Sequence, residues 1–242
     1  MDHETREMTL GGAHAPLVPE VLMAQALREN DAAVTLIHRL VDGDTHLLHA
    51  VARADDATAA AVRHVLLRYL AHGLWQGHLL PLPPGFHAGR ETHRIRRRIN
   101  ESISAGHAAW QRTLLDGLAE GDGSVRQISV SLLGGCQSAE ALDALATLLA
   151  VHDEGMRWAA AMALIASGRA GARATLRRMV TREVVPEMRH VAAYVLRYVP
   201  DEALRHTLAP VVRALDDSSY RIAAPPAAET ALAELERPRA GH

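Results

Sequence analysis

The sequence is poor in several residue types, and each shortage excludes a class of protein. A single cysteine among 242 residues, Cys136, excludes an internal disulfide framework. No apolar run reaches the roughly 18 residues that a membrane-spanning helix needs, and no signal-peptide pattern follows Met1. We therefore expect a cytoplasmic protein without a membrane partner.

The remaining composition favours helices over sheets. Aromatic residues make up only 3% of the chain and hydrophobic residues 48%, with alanine and leucine abundant, which is typical of thin helices packed in layers. The chain contains no lysine, so that all 26 basic residues are arginine, and its net charge is −2. A nearly neutral chain gives little sign of a nucleic-acid partner.

What the sequence does contain is a repeat. Six arginines recur at gaps of 31, 32, 31, 32 and 32 residues: Arg63, Arg94, Arg126, Arg157, Arg189 and Arg221. A fixed period of this size indicates supersecondary units that stack as a solenoid, here about seven units long. Around Arg63, Arg126, Arg157 and Arg189, the first, fifth and eighth places are apolar except for one serine, which is the spacing of one helix face. Further apolar runs at 139–149, 170–180 and 203–215 precede the later arginines, so each unit is predicted to be helix, turn, helix.

The segments Met156 to Leu164 and Met188 to Leu196 read Met-Arg-x-x-Ala-Ala-x-x-Leu or close to it. They resemble the HEAT-repeat family, in the short form found in bilin-lyase-type HEAT-like proteins, clearly over 106–221 and weakly back to 62. The resemblance implies an all-α, right-handed α-solenoid of helix–turn–helix repeats with a period of about 31–32 residues. It also implies a structural ladder in which the recurring arginines pair with acidic residues of nearby turns, against the alternative that they bind a ligand. The members of the ladder would be Arg126, Arg157, Arg189 and Arg221 with Asp122, Asp153 and Asp217.

We divide the chain into five parts. They are a flexible N-terminus at 1–15, an N-terminal helical cap with the first degenerate repeats at 16–78, a proline-rich loop at 79–90, regular repeats at 91–217 and a C-terminal cap at 218–242. The cap should hold helices near 17–28, 31–41 and 44–53. In the C-terminal cap, Pro225 and Pro226 are predicted to interrupt a helix.

The proline-rich loop can be read in two ways. It is either a connector to the regular solenoid or a lid that docks a ligand. A basic edge follows it in the sequence, formed by Arg90, Arg94, Arg96, Arg97 and Arg98.

The third and seventh places of the arginine-bearing helices share a helix face and avoid the core. We expect this face to line the concave surface, and it carries His64, Arg68, Gln127, Ser131, Trp158, Met162, His190 and Tyr194. Aromatic, histidine and arginine side chains together have the composition of a binding site. The alternative is that Trp158 and Tyr194 fill gaps between repeats.

Metal and catalytic signatures are weak. The chain has 15 histidines, and Glu187 and His190 have the spacing used in di-iron bundles, but such sites need two of these motifs and only one is present. Cys136 follows two glycines at a helix C-terminus, where a thiolate is disfavoured, and is expected to be a small filler residue. We predict no metal and no cofactor, and the catalytic residues, if there are any, are unknown.

These observations favour a non-enzymatic scaffold that binds a protein or peptide on its concave face, an expectation that rests on analogy with the fold. Two alternatives stay open. One is a lyase-type or other enzyme that handles a small molecule or cofactor, in which groove histidines and arginines supply acid–base and anion-binding groups. The other is nucleic-acid binding, as in HEAT-like alkylpurine glycosylases, which the basic edge and the use of arginine in place of lysine support.

Overall fold

The computed structural model describes residues 18–53, 56–80, 88–105 and 108–237. Within these ranges the chain forms helices and one two-stranded antiparallel hairpin. The elements are α1 Pro19–Ala26, α2 Asn30–Asp42, α3 Thr45–Arg53, α4 Ala57–His72, β1 Leu74–Trp75, β2 His78–Leu79, α5 Ala88–Ser104, α6 Ala108–Ala119, α7 Gly123–Leu133, α8 Ala139–Leu148, α9 Glu154–Ala166, α10 Gly168–Thr181, α11 Pro186–Arg197, α12 Glu202–Asp216 and α13 Tyr220–Glu236.

The helices pack in two layers, and the fold is an all-α solenoid. In one layer α4 packs on α7, α7 on α9 and α9 on α11; in the other, α6 packs on α8 and α8 on α10. The hairpins α6–α7 and α8–α9 connect the layers. Four of the periodic arginines, Arg63, Arg126, Arg157 and Arg189, therefore mark successive helices of one layer, whereas Arg94 lies on α5 and Arg221 on α13.

Helix α9 shows how the repeat sequence produces this packing. The Asp153 carboxylate caps the helix by accepting from the Met156 amide at 3.0 Å. Met156, Ala160 and Leu164 lie on one face and are buried, so the apolar spacing forms the core. Small side chains at Ala160 and Ala161 allow the neighbouring helices to approach closely.

Loss of this cap should be measurable. We expect Asp153→Ala to lower the free energy of unfolding by about 1 kcal/mol, because the α9 amide loses its acceptor. Asp153→Asn should stay near the wild-type value, since asparagine caps helices equally well. Urea unfolding followed by circular dichroism measures both, and equal stabilities of the alanine and asparagine variants would contradict the assignment of the cap.

The N-terminal part contains α1, α2 and α3 where three helices are predicted. The β1–β2 hairpin was not predicted. It places Trp75 in the core, where the indole Nε1 donates to the Ala26 carbonyl at 2.9 Å and ties the hairpin to the end of α1. Predicted features at 1–15 and at 81–87 of the proline-rich loop lie outside the described residues.

The C-terminal pair of helices departs from the period. Helix α12 packs on α11, and α13 packs on α10, whereas a continued repeat would place α13 in the layer of α11. The Arg169 guanidinium donates to the Leu235 carbonyl at 3.0 Å, and Arg177 pairs with Glu236 at 2.9 Å. The last two helices therefore exchange layers, with α12 against α11 and α13 against α10.

The predicted interruption at Pro225 and Pro226 is wrong, because α13 runs through both prolines. A proline in a helix leaves the carbonyl four residues earlier without its helical donor. Those carbonyls belong to Arg221 and Ile222, and both residues are exposed, so water can serve as their donor. The helix thus continues at a modest energetic cost.

Candidate binding groove

A concavity of about 780 Å³ lies between α5, α7 and α9. Its wall on α5 carries polar side chains, whereas the wall on α9 is mainly apolar. The main side chains that line it are Arg96, Asn100, Ser104, Gln127, Ile128, Ser131, Ala159, Met162, Ala163 and Ala166. Three residues of the predicted concave face, Gln127, Ser131 and Met162, therefore meet here.

The basic edge lies on α5, which begins at Ala88, inside the range 79–90 predicted as the proline-rich loop. Ile95, Ile99 and Ile103 are buried at a four-residue spacing and fix one face of α5 to the core. On the other faces, Arg96 hydrogen-bonds the Ser131 hydroxyl across the groove. The predicted Arg97 and Arg98 both pair with Glu101, at 3.6 and 3.0 Å.

Two further arginines of the predicted basic edge lie nearer the start of α5. Arg90 and Arg94 are both exposed. Because Arg97 and Arg98 pair with Glu101, part of the basic charge on α5 is neutralised locally. This weakens the case for a continuous nucleic-acid surface.

An aromatic cluster extends the groove onto α11. The Trp158 and Tyr194 rings meet edge to face with centroids 5.0 Å apart, and the Tyr194 and Tyr198 centroids are 4.5 Å apart. Trp158, Met162 and Tyr198 keep 37%, 55% and 53% of their surface exposed. Since Met162 lies one turn from Trp158 on α9, the groove and the cluster form one strip.

Trp158 and Tyr194 agree in part with both interpretations, the binding site and the filling of gaps between repeats. Their rings bridge the gap between α9 and α11, yet the Trp158 ring remains accessible to a ligand. Tyr198 was missed by sequence reasoning, although its spacing of four residues from Tyr194 was the available signal. His190, the remaining predicted residue on α11, is exposed.

His64 and Arg68 lie outside the groove, contrary to the predicted continuous face. They meet acidic side chains of the α6 end: His64 lies 3.9 Å from Asp116, and Arg68 lies 3.0 Å from Glu120. One turn further on, His72 pairs with Asp122 at 2.6 Å. The N-terminal half of the predicted face is thus a polar cluster in which side chains of α4 contact carboxylates of the α6–α7 hairpin.

The predicted ladder of arginine–aspartate pairs is also wrong. Asp122 and Asp153 cap α7 and α9, and the Asp217 carboxylate accepts from the Ser219 amide at 3.2 Å. The Val125 amide and the His72 side chain are the main groups that hold the pKa of Asp122 below its ordinary value. Carboxylates at the starts of helices thus accept hydrogen bonds from the first backbone amides, which have no acceptor within the helix.

The arginines of the predicted ladder bind carbonyl oxygens or aromatic rings instead. Arg157 donates to the Val151 and His152 carbonyls at 2.7 and 2.8 Å. Arg189 donates to the carbonyls of 215–217 and lies 4.5 Å from the Tyr220 ring centroid. Turn carbonyls have no helical donor, and a guanidinium can satisfy several at once.

The two remaining arginines of the ladder differ from this pattern. Arg221 donates to the Tyr220 hydroxyl at 3.4 Å. The Arg126 Nε is buried without an acceptor among the described residues. Among the described residues, no common carboxylate ladder joins the four arginines.

Comparison with known families identifies the repeats. Residues 112–197, from within α6 to the end of α11, match the family model of HEAT repeats. The chain contains HEAT repeats over this segment. HEAT repeats commonly serve as protein-interaction scaffolds. A comparison with curated proteins found no match to this chain.

Within the described residues, no group of three or more His, Cys, Asp or Glu side chains is placed to hold a metal ion. Glu187 lies 4.0 Å from His152. In the same described ranges, no helix combines the length and the apolar character needed to cross a membrane.

Cys136 is buried at the end of the α7 segment of the HEAT repeats, and burial raises the pKa of its thiol to about 11. At about pH 8, roughly one thiol in a thousand would be ionised, so we expect native protein to resist labelling by Ellman's reagent. Protein denatured in guanidinium should react fully with the same reagent. Rapid labelling of the native protein would contradict the buried position of this thiol.

Proposed function

We propose that this protein is an interaction scaffold that binds an extended segment of a partner protein along the strip from α5 to α11. The observation that carries the proposal is the aromatic cluster of Trp158, Tyr194 and Tyr198, in which Trp158 and Tyr198 are exposed and which continues the groove next to Met162. Elsewhere in the described chain, large apolar side chains are mostly buried. A contiguous accessible apolar strip is typical of an interaction site.

The aromatic end of the strip suits the anchoring of a partner side chain. Tryptophan and tyrosine supply large contact areas with few rotatable bonds, and they are enriched among residues that dominate binding energy. The edge-to-face contact holds the Trp158 and Tyr194 rings in place before a ligand arrives. Little conformational entropy would then be lost on binding, which favours affinity.

The groove end of the strip suits the main chain of the same segment. Asn100 and Gln127 carry amide groups that can both donate and accept hydrogen bonds, and Arg96 adds a charged donor. Polar side chains facing apolar Ala159 and Met162 across a groove fit an extended peptide, whose backbone is polar and whose side chains alternate in direction. The expected ligand is therefore a peptide segment and not a folded flat surface.

Selection from a random peptide library on the immobilised protein tests this function. The matched variants are Met162→Glu, which puts a charge in the strip, and Ile222→Glu, which puts the same charge on an apolar side chain that is 80% exposed on α13. Selected peptides should bind wild type and Ile222→Glu but not Met162→Glu. Equal binding to all three proteins, or no enrichment in the selection, would contradict the proposal.

A small-molecule ligand is a second candidate, supported by the groove volume of about 780 Å³, which lies within the usual size of ligand pockets. Native mass spectrometry of protein purified from its host distinguishes the two. A bound compound that is lost in Met162→Glu would favour this candidate, and an unbound protein that still selects peptides would favour the scaffold.

A further inference from the structure

A second concavity, of about 530 Å³, lies between α8 and α10, in the layer opposite to the binding groove. Unlike the groove, it is lined by several cations. Its polar side chains are Asp143, Thr147, Arg177, Arg178, Thr181 and Arg182. The site shares no residue with the proposed peptide strip, so the inference below does not depend on that function.

Arg178 is the central residue of this concavity. It lies on α10 and is half-buried, and its Nη1 atom is buried without any hydrogen-bond partner among the described residues. A buried N–H group of a charged side chain that lacks an acceptor is costly to the folded state. Burial, together with the nearby Arg182, also lowers the pKa of the Arg178 guanidinium. The Arg178 Nη1 donor therefore lacks an acceptor among the described residues, and its guanidinium lies near a second cation.

The other charges around Arg178 leave the concavity positive. Arg177 is paired with Glu236 of α13 at 2.9 Å, so its charge is largely neutralised. Arg182 is exposed where α10 ends and makes no ion pair among the described residues. Asp143 of α8 is the one carboxylate in the lining, against the two guanidiniums of Arg178 and Arg182.

The hydroxyl groups of the lining are already committed as donors. Thr147 donates to the Asp143 carbonyl at 2.9 Å, and Thr181 donates to the Arg177 carbonyl at 2.8 Å. Donors for a ligand must then come from the guanidiniums, whose planar forks suit an anion with several oxygens.

We infer that the concavity between α8 and α10 is a binding site for a phosphate-like oxyanion, held by Arg178 and Arg182. The anion is either a free ion or the phosphoryl group of a modified side chain, since both present the same oxygens to the arginines. Asp143 opposes binding and limits the affinity, so the site should be saturable but not tight.

Isothermal titration with inorganic phosphate, at constant ionic strength set with sodium chloride, tests the site. Wild type and the control Arg173→Gln, which changes an α10 arginine outside the concavity, should bind phosphate with one saturable site. Arg178→Gln and Arg182→Gln should each bind at least about tenfold more weakly, because each removes one charged fork. Arg182 is exposed, so its variant keeps the test valid if Arg178→Gln does not fold.

A phosphoserine peptide in the same titration distinguishes the two sources of the anion. Tighter binding of the peptide than of inorganic phosphate would assign a phosphorylated protein ligand, and weaker binding would assign the free ion. Absence of saturable phosphate binding to wild type, or undiminished binding in Arg182→Gln, would overturn the inference.

Discussion

Replacing Gly171 with alanine is expected to lower the free energy of unfolding by about 3 kcal/mol, although alanine is the better helix former. A methyl group at this position of α10 would lie 2.0 Å from the Leu164 carbonyl oxygen and 2.8 Å from its carbon. Because the obstacle is the α9 backbone and not a flexible side chain, the two helices would have to separate. The loss should therefore reach the upper end of the range for overpacked cores.

Gly155→Ala is the matched control for this prediction. Its methyl would meet only the Asp153 carboxylate, at an ordinary 3.4 Å, so its stability should equal or slightly exceed that of wild type. Urea unfolding followed by circular dichroism compares the variants. If Gly171→Ala were as stable as Gly155→Ala, the close approach of α9 and α10 would be wrong.

Replacing Trp158 and Tyr194 together with alanine is expected to weaken the binding of groove-selected peptides by at least about 100-fold. Anchor residues of interfaces contribute about 2 kcal/mol or more each, and the effects of two touching rings are not fully additive. Fluorescence anisotropy with a labelled peptide measures the loss. The helical circular dichroism spectrum should be unchanged, because Trp158 is already more than a third exposed.

Ile222→Ala provides the control for the double variant, because Ile222 is an exposed apolar side chain on α13 that does not line the groove. It should bind the peptides as wild type does. An affinity loss below about fivefold in the double variant would remove the aromatic cluster from the binding site.

The regular repeats were predictable because their determinants are local. Around Arg157, the capping aspartate, the apolar spacing and the small residues all lie within one helix and its preceding turn. The Ala139–Leu148 and Glu154–Ala166 helices follow from these signals, and their hairpin packing follows from the short connection between them.

The exchange of layers by the last two helices was not predictable in the same way. The arginine period continues to Arg221, but periodicity along the chain does not determine on which side the last hairpin packs. That choice is made by contacts distant in sequence, such as Arg177 with Glu236. Helix α5 was missed in part because the prolines before it obscure its first turn.

The candidate site was predicted in part. Trp158, Met162 and Tyr194 were identified from their register, because neighbouring helices of one layer align equivalent places. His64 and Arg68 share that register but contact carboxylates at the end of α6, and these contacts depend on the tertiary packing of α4 on α6. The carbonyl partners of Arg157 and Arg189 were also missed, since sequence patterns reveal side-chain charges but not unpaired backbone groups.

The most direct measurement is affinity purification from host cells followed by quantitative mass spectrometry, with wild type, Trp158→Ala/Tyr194→Ala and Ile222→Ala as parallel baits. The scaffold account predicts that at least one partner is recovered equally by wild type and Ile222→Ala and is lost with the double variant. Recovery of the same partners by all three baits would contradict the account, because the strip from α5 to α11 would then not be the surface that binds them.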